Sequence, residues 1–363
     1  MTLLSNSLRT SLLLAHAVLP DASPGPGQIN WLPCSEFNST EPIQCANLTV
    51  PLDYTELELN KTLQQQLLRV RALGQPSRGS ILFNFGGPSE KLSFFMKSPK
   101  VWSTLGASNF RAKSSDNTLA RLWATAKLFA DKCYKRNEEI GGLVGSAFEG
   151  HDEDRGLYGT LLGQTAAAMF PGRIDRMVLD GNLNPHEYYR GYDYEQWTDS
   201  DKTFSATLID DLNDRPIPFN GTLIGYGYVK TGFTQNWNKL AATYASIGAT
   251  PDAQMSIRCG DKIVRMETLD AFLPIVERQF RTSRVFGDIQ TATDMVCAQW
   301  RFPAKGQYTG DFRSKTRHPI LFIENTAFTP LASAQNASAG FEGSIVLQTN
   351  GYGVGSSGPS VQD

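Results

Sequence analysis

The chain has 363 residues, a formal net charge of −2, 40% hydrophobic residues and 19% charged residues. A chain of this composition can bury a sizeable core, which excludes a disordered or collagen-like protein. The 34 basic residues are balanced by 36 acidic ones and form no basic block, so a nucleic-acid partner is not expected. No apolar stretch reaches the roughly 18 residues that a membrane-spanning helix needs.

Residues 1–22 have the pattern of a secretory signal peptide. Arg9 supplies a basic start, Thr10 to Leu19 form an apolar run, and Ala15-His16-Ala17 is a small-x-small cleavage pattern. The alternative is a buried N-terminal helix, which the prolines that follow at positions 20, 24 and 26 disfavour. We therefore expect a secreted, extracellular protein.

Five Asn-x-Ser/Thr sequons agree with export, because this triplet is the acceptor for N-linked glycans. They begin at Asn38, Asn47, Asn60, Asn220 and Asn336. An exported chain meets oxidising conditions, in which cysteines pair. Cys34 and Cys45 stand eleven residues apart, which favours a local disulfide.

The N-terminal third contains two expected strands. Leu67 to Ala72 alternates apolar and polar residues, which indicates a half-exposed strand. Ser80 to Phe85 is a mostly apolar run that ends at Gly86-Gly87-Pro88, typical of a buried strand that leads into a tight turn. Asp116 to Arg136 carries apolar residues every three and four positions, which predicts a helix with one buried face.

The rest of the chain alternates between expected helices and strands. Gly159 to Phe170 is a helix of small residues that can pack closely on a sheet, and Arg176 to Asp180 is a short strand. The region from Asn184 to Arg281 is mostly helical in its pattern. The remaining expected elements are helices Asn238 to Ala245, Thr268 to Phe280 and Pro330 to Ser338, and strands Pro319 to Glu324 and Ser344 to Gln348. The alternation predicts a doubly wound α/β sheet with an inserted cap.

In this order, several segments resemble the secreted α/β-hydrolase family of tripeptidyl-aminopeptidase-like serine peptidases, in particular its fungal branch with a TAP-like C-terminal domain. The resemblance is carried by Cys45 to Tyr54, Asn84 to Pro88, Tyr158 to Gly163, Arg176 to Pro185, Cys297 to Trp300, Thr329 to Ala334 and Gly351 to Gly353. It implies an incomplete α/β-hydrolase parallel sheet with a mostly helical cap. The expected divisions are a hydrolase core over 23–183, a cap over 184–316 and the end of the core over 317–363.

The resemblance also implies a Ser-His-Asp triad that cleaves peptides or small acyl substrates without a cofactor or metal. The nucleophile would occupy a G-x-S-x-G elbow, yet that position is Leu157. The loop after Glu324 contains no Asp, and the position of the family histidine is Val354. The oxyanion loop survives at Gly86 and Gly87, although a simple tight turn would explain the same two glycines.

Other residues do not obviously replace the triad. His151, His186 and His318 have no metal-ligand spacing, and Glu324 could replace the acid only where a histidine is available to orient. Family segments are absent as blocks after Pro88 and before Leu157, which indicates an altered reading frame, alternative splicing or a disabled gene. Cys259 and Cys297 form the expected second disulfide, which leaves Cys133 outside both pairs.

Three functions remain open from the sequence. The first is a secreted hydrolase by ancestry that is inactive in this form. The second is a secreted glycoprotein pseudoenzyme that binds peptides or a protein partner. The third is an enzyme that uses a different site. The sequence gives no indication of the oligomeric state.

Overall fold

The structure is a computed structural model that describes residues 29–34, 43–59, 61–70, 116–147, 157–201, 217–219, 222–224, 251–283, 289–324 and 329–348. The chain divides into two compact units. The first comprises residues 1–51 and 62–78, and the second comprises residues 52–61 and 79–363. Each unit is described by itself.

The first unit contains an antiparallel three-stranded sheet in the order β1-β2-β3. Its strands are β1 (Leu32–Pro33), β2 (Ile43–Pro51) and β3 (Thr62–Val70). The long pair runs in continuous register from Ile43 opposite Val70 to Pro51 opposite Thr62. The Cys34–Cys45 disulfide joins the end of β1 to β2. The sequence predicted a strand only near the end of β3 and did not predict β2.

The described part of the second unit comprises residues 52–59 and 61, followed by α1 (Asp116–Arg136), which has the bounds that the apolar periodicity predicts. It continues with α2 (Leu157–Met169), β4 (Val178–Asp180) and α3 (Pro185–Arg190). In α1 the buried residues Ala126, Ala130 and Cys133 recur at intervals of four and three, so one face of the helix enters the core.

The middle of the second unit contains a short hairpin and three helices. The hairpin strands are β5 (Ile217–Phe219) and β6 (Thr222–Ile224), and the helices are α4 (Pro251–Asp261), α5 (Leu269–Thr282) and α6 (Ile289–Ala298). Of these five elements, only α5 was predicted, and its start is capped by the Thr268 hydroxyl, which accepts from the Ala271 N–H. The expected helix at Asn238 to Ala245 lies outside the described residues.

The last elements complete a parallel sheet in the order β4-β7-β8. They are β7 (Leu321–Glu324), α7 (Leu331–Ser338) and β8 (Ile345–Gln348). Asp180 lies opposite Ile323, and Glu324 lies opposite Gln348. Parallel pairing of these three predicted strands is therefore confirmed, each strand being one or two residues shorter than expected. The fourth expected strand, Ser80 to Phe85, lies outside the described residues.

Close packing of α2 on β4 explains the small residues of that helix. A Cβ atom added to Gly163 would lie 2.7 Å from a Leu179 side-chain carbon, so any side chain at this position would force Leu179 to shift. A single apolar cluster includes Leu161 of α2, Leu179 of β4 and Phe322 of β7. This packing fixes the start of α2 near the carboxyl ends of the strands.

A second apolar cluster joins α1, α5 and α6. Phe272 is fully buried at its centre and contacts the ring of Trp123, with centroids 5.5 Å apart. The Cys259–Cys297 disulfide links α4 to α6, and the thiol of Cys133 lies in the same buried cluster as this disulfide. Among the helices that the structure describes, none is long and apolar enough to cross a membrane.

Candidate active site

The carboxyl ends of β4 and β7 are fastened to each other by the turn that follows β4. Gly181 adopts a left-handed backbone conformation with φ of 80°, and its N–H donates to the Ile323 carbonyl at 3.1 Å. The Asn182 side-chain amide donates to the carbonyls of Leu179 and Ile323, both at 3.0 Å. Asn182 therefore spans the two strands at the edge where α/β proteins place their ligand sites.

Glu324 is a fully buried carboxylate at this edge. It is the last residue of β7, and its Oε2 accepts a hydrogen bond from the Asn182 main-chain N–H at 2.8 Å. A buried carboxylate needs such donors because desolvation disfavours its charge. The bond fastens the turn after β4 to the end of β7.

The first turns of α2 lie against the same edge. The Thr160 hydroxyl donates to the Gly181 carbonyl at 3.0 Å, and the Gln164 amide donates to the Leu183 carbonyl at 3.2 Å. Leu157 is the first residue of this helix. The position at which the family resemblance places a nucleophile thus begins a helix that is hydrogen-bonded to the carboxyl edge of the sheet.

Four buried oxygen atoms near this edge have no hydrogen-bond partner within the described part of the chain. They are Gln164 Oε1, Asn182 Oδ1, Thr329 Oγ1 and Ser333 Oγ. Thr329 and Ser333 belong to the start of α7, which follows β7 and therefore begins at the same edge of the sheet. The two amide oxygens can only accept a hydrogen bond, and the two hydroxyls can accept or donate one, so the edge favours groups that bear N–H or O–H donors.

The two described histidines lie elsewhere. His318 precedes β7 at its amino end, where its ring lies 3.6 Å from the Asp175 carboxylate, and more than a third of its side chain is exposed. His186 is in the first turn of α3 and contacts the Phe312 ring edge-on. Burial, followed by the nearby Arg190 charge, lowers the pKa of His186. His318 is thus at the opposite end of β7 from Glu324.

Several residues that the sequence singled out lie outside the described ranges. These are Gly86, Gly87, His151, Val354 and the glycosylation candidates Asn38, Asn60 and Asn220. The two remaining sequon asparagines are both exposed. Asn47 is on β2, and Asn336 is on α7, where its amide donates to both carboxylate oxygens of Glu195 at 3.0 Å.

Sequence reasoning missed Gln164 and Asn182 as members of this edge. A signal for Gln164 existed, because a polar amide within the small and apolar run from Leu161 to Ala168 is unusual unless it bonds to a buried group. Asn182 had no comparable signal, since a glycine followed by asparagine is also common in exposed turns. In the described residues, no group of three or more His, Cys, Asp or Glu side chains could hold a metal ion.

Comparison with known proteins relates part of this edge to a known family. Residues 283–362, which include β7, α7 and β8, match the α/β-hydrolase family described as TAP-like protein. The parallel sheet β4-β7-β8 is consistent with this fold.

Curated relatives support the same hydrolase ancestry over a longer stretch. The chain is 26% identical to serine protease Hip1 of Mycobacterium tuberculosis over 218 residues, which cover 46% of this chain and 42% of that protein. It is 23% identical to the tripeptidyl aminopeptidase of Streptomyces lividans over 210 residues, which cover 43% of this chain and 38% of that protein. The chain thus spans about two fifths of the length of these relatives.

Proposed function

We propose that this chain is a secreted member of the fungal branch of the tripeptidyl-aminopeptidase-like hydrolases and that it does not hydrolyse peptides in this form. The observation that carries the proposal is the start of α2. It lies at the carboxyl edge of the sheet, where the family places its nucleophile, and its first residue is Leu157. A leucine has no atom that can attack a carbonyl group.

The acid and histidine positions support the same conclusion. Glu324 ends β7, where the family acid would follow, but its Oε2 atom holds the main chain of Asn182. The histidine position is Val354 in the sequence. Triad members act as a unit, and the loss of one of them already removes most of the rate acceleration.

The extracellular location is part of the proposal. It rests on the signal-like residues 1–22, the five sequons and the disulfides Cys34–Cys45 and Cys259–Cys297. The exposure of Asn47 and Asn336 is compatible with glycans at both positions. Expression in a secreting eukaryotic cell, followed by glycosidase treatment, should remove mass from the protein in the medium; protein that stays in the cell unglycosylated would contradict secretion.

The proposed lack of peptidase activity is tested on the purified full-length chain with a fluorogenic tripeptide amide and with a fluorophosphonate probe that labels activated serines. We expect neither tripeptide release nor labelling, while the Streptomyces lividans tripeptidyl aminopeptidase serves as the positive control. The Leu157→Ser variant should also be inactive, because its hydroxyl would have no base to take the proton. Tripeptide release that persists in Leu157→Ala and Val354→Ala would show that a different site carries the chemistry.

A second candidate, a pseudoenzyme that binds peptides, is favoured by the unpartnered oxygen atoms at the carboxyl edge. The N–H groups of a short peptide would complement Thr329 Oγ1 and the neighbouring acceptors. Fluorescence anisotropy with a labelled tripeptide should then show saturable binding that Thr329→Val weakens. The matched control is Thr282→Val at the end of α5, and equal binding by both variants would reject this role for the edge.

A further inference from the structure

The second unit contains a buried group of charged residues away from the carboxyl edge of the sheet. Asp193, between α3 and α4, accepts hydrogen bonds from Arg258 at 2.5 Å and from the Lys262 Nζ at 3.0 Å. The Lys262 ammonium group is only 1% exposed and also donates to the carbonyls of Tyr188 and Gly191. Both cations of the group are therefore bonded to Asp193.

A second carboxylate of this group, Asp261, is well supplied with donors. It accepts from the Ser146 N–H at 2.8 Å, from the Ser146 hydroxyl and from the Tyr188 hydroxyl at 3.0 Å. Several donors of this kind stabilise the ionised form of a buried carboxylate.

The third carboxylate, Asp294 on α6, is fully buried and has one donor. Gln279 of α5 donates from its Nε2 to Asp294 Oδ2 at 2.7 Å, whereas Asp294 Oδ1 has no partner among the described residues. The Gln279 amide cannot rotate to change this, because its Oε1 accepts from the Thr291 hydroxyl at 2.7 Å. Asp294 therefore has far less support for a negative charge than Asp193 or Asp261.

We propose that Asp294 holds a proton in the folded protein in acid, so that the contact between α5 and α6 is more stable in acid than at neutral pH. The proton resides on Oδ1, since Oδ2 already accepts the Gln279 N–H. Ionisation leaves a charge in the core with one neutral donor, which weakens the attachment of α6 to α5. This inference is independent of the proposed function.

The charged and titratable groups around Asp294 set the direction of its titration. Burial, as the largest cause, raises the pKa of Asp294 from 3.8 to about 7, although Lys262 and Arg258 lower it in part and Asp193 raises it further. The facing tyrosines Tyr192 and Tyr194 stay protonated, since burial raises the pKa of each. The parts of α1 and α5 in this cluster contribute the apolar residues Leu119, Leu122, Trp123, Ala126, Phe272, Ile275 and Val276.

The sign of the effect follows from proton binding. Between pH 3.8 and about 7 the folded state holds the proton on Asp294 and the unfolded state does not. The unfolding equilibrium constant therefore rises about tenfold per pH unit in this window through this group, and by a factor on the order of 10³ across it. The stabilisation is fully present below pH 3.8, decreases through this window and is lost once the pH passes about 7.

The test compares wild type with Asp294→Asn by denaturant unfolding of the full chain at several pH values between about 4 and 8, followed by the helical circular dichroism. The ratio of the two unfolding constants, wild type over variant, should rise by a factor on the order of 10³ across the window. The exposed Glu267→Gln is the matched control and should give a constant ratio. A constant ratio for Asp294→Asn as well would overturn the proposal.

An infrared measurement decides the question even where Asp294→Asn fails to fold. A protonated buried carboxyl group gives a carbonyl band that disappears on ionisation. Burial also raises the pKa of Glu187, so the titration is run in Glu187→Gln. A band that persists in acid and disappears near neutral pH supports the proposal, and a spectrum without it at pH about 5 contradicts it.

Discussion

Replacement of Asp193 by asparagine tests whether the buried ion pairs hold the helical part of the second unit together. Asp193 is 3% exposed and adopts a left-handed backbone conformation with φ of 53°. Asparagine tolerates this conformation as well as aspartate does, so the substitution removes the charge without straining the main chain. Lys262 would remain buried without the carboxylate to which it is bonded, and Arg258 would lose its ion pair.

The expected cost is about 3–5 kcal/mol of unfolding free energy, which is typical when one partner of a buried ion pair is removed. In the variant, Lys262 keeps its hydrogen bonds to the carbonyls of Tyr188 and Gly191. If these carbonyls move closer to the ammonium group, the cost should lie in the lower part of this range.

The assay is urea unfolding of the full chain, with Asp175→Asn as the matched control. Asp175 makes the same kind of contact, with Arg317 at 3.5 Å, but both side chains are more than 60% exposed. An exposed pair of this kind contributes about 0–1 kcal/mol. If Asp193→Asn costs no more than Asp175→Asn, the buried charges do not stabilise this part of the fold and the reasoning is refuted.

Two further substitutions test local features of the second unit. Gly340→Ala should lower the free energy of unfolding by about 1–3 kcal/mol, because a Cβ atom there would lie 2.1 Å from the Phe312 carbonyl oxygen. The control is Gly172→Ala, which should change the stability little because no atom lies within 4 Å of the added Cβ. Both are measured by thermal or urea unfolding. Equal effects of the two would contradict the close approach. Lys305 lies 2.6 Å from the Asp53 carboxylate, and their hydrogen bond lowers the pKa of Asp53 to about 2. The stabilisation from this pair is present above pH 3.8 and is lost as the pH falls towards about 2. Lys305→Met should therefore be less stable than wild type at pH about 5, and the two stabilities should converge in strong acid. A difference in unfolding free energy that does not shrink in acid would argue against this pair.

The sequence by itself predicted the elements whose signal is local. The bounds of α1 follow from apolar residues at intervals of three and four, and the strands β4, β7 and β8 follow from short apolar runs bounded by turn residues. The helix α2 was also predicted from the sequence, although its start was placed at Gly159, two residues after its first residue, Leu157. These signals need only neighbouring residues, because helix periodicity and strand length are properties of the local chain.

The strand β2 shows where a local pattern fails. Its buried residues are Ile43, Ala46 and Val50, which are three and four positions apart and do not alternate. Its pairing with β1 and with β3, whose residues lie eleven or more positions away along the chain, makes this segment a strand. The hydrogen bonds between strands thus overrode the side-chain pattern.

The helices α4 and α6 were decided by tertiary structure for an electrostatic reason. Arg258, Asp261 and Asp294 interrupt the apolar pattern of these helices, and charged residues ordinarily indicate an exposed face. Here Asp261 and Asp294 are buried and Arg258 is partly buried, because Asp193, Ser146 and Gln279, from distant parts of the chain, supply their partners. Such partners are brought together only by the folded chain, so the sequence predicted a mostly helical region here but neither the bounds of these two helices nor the charges that join them.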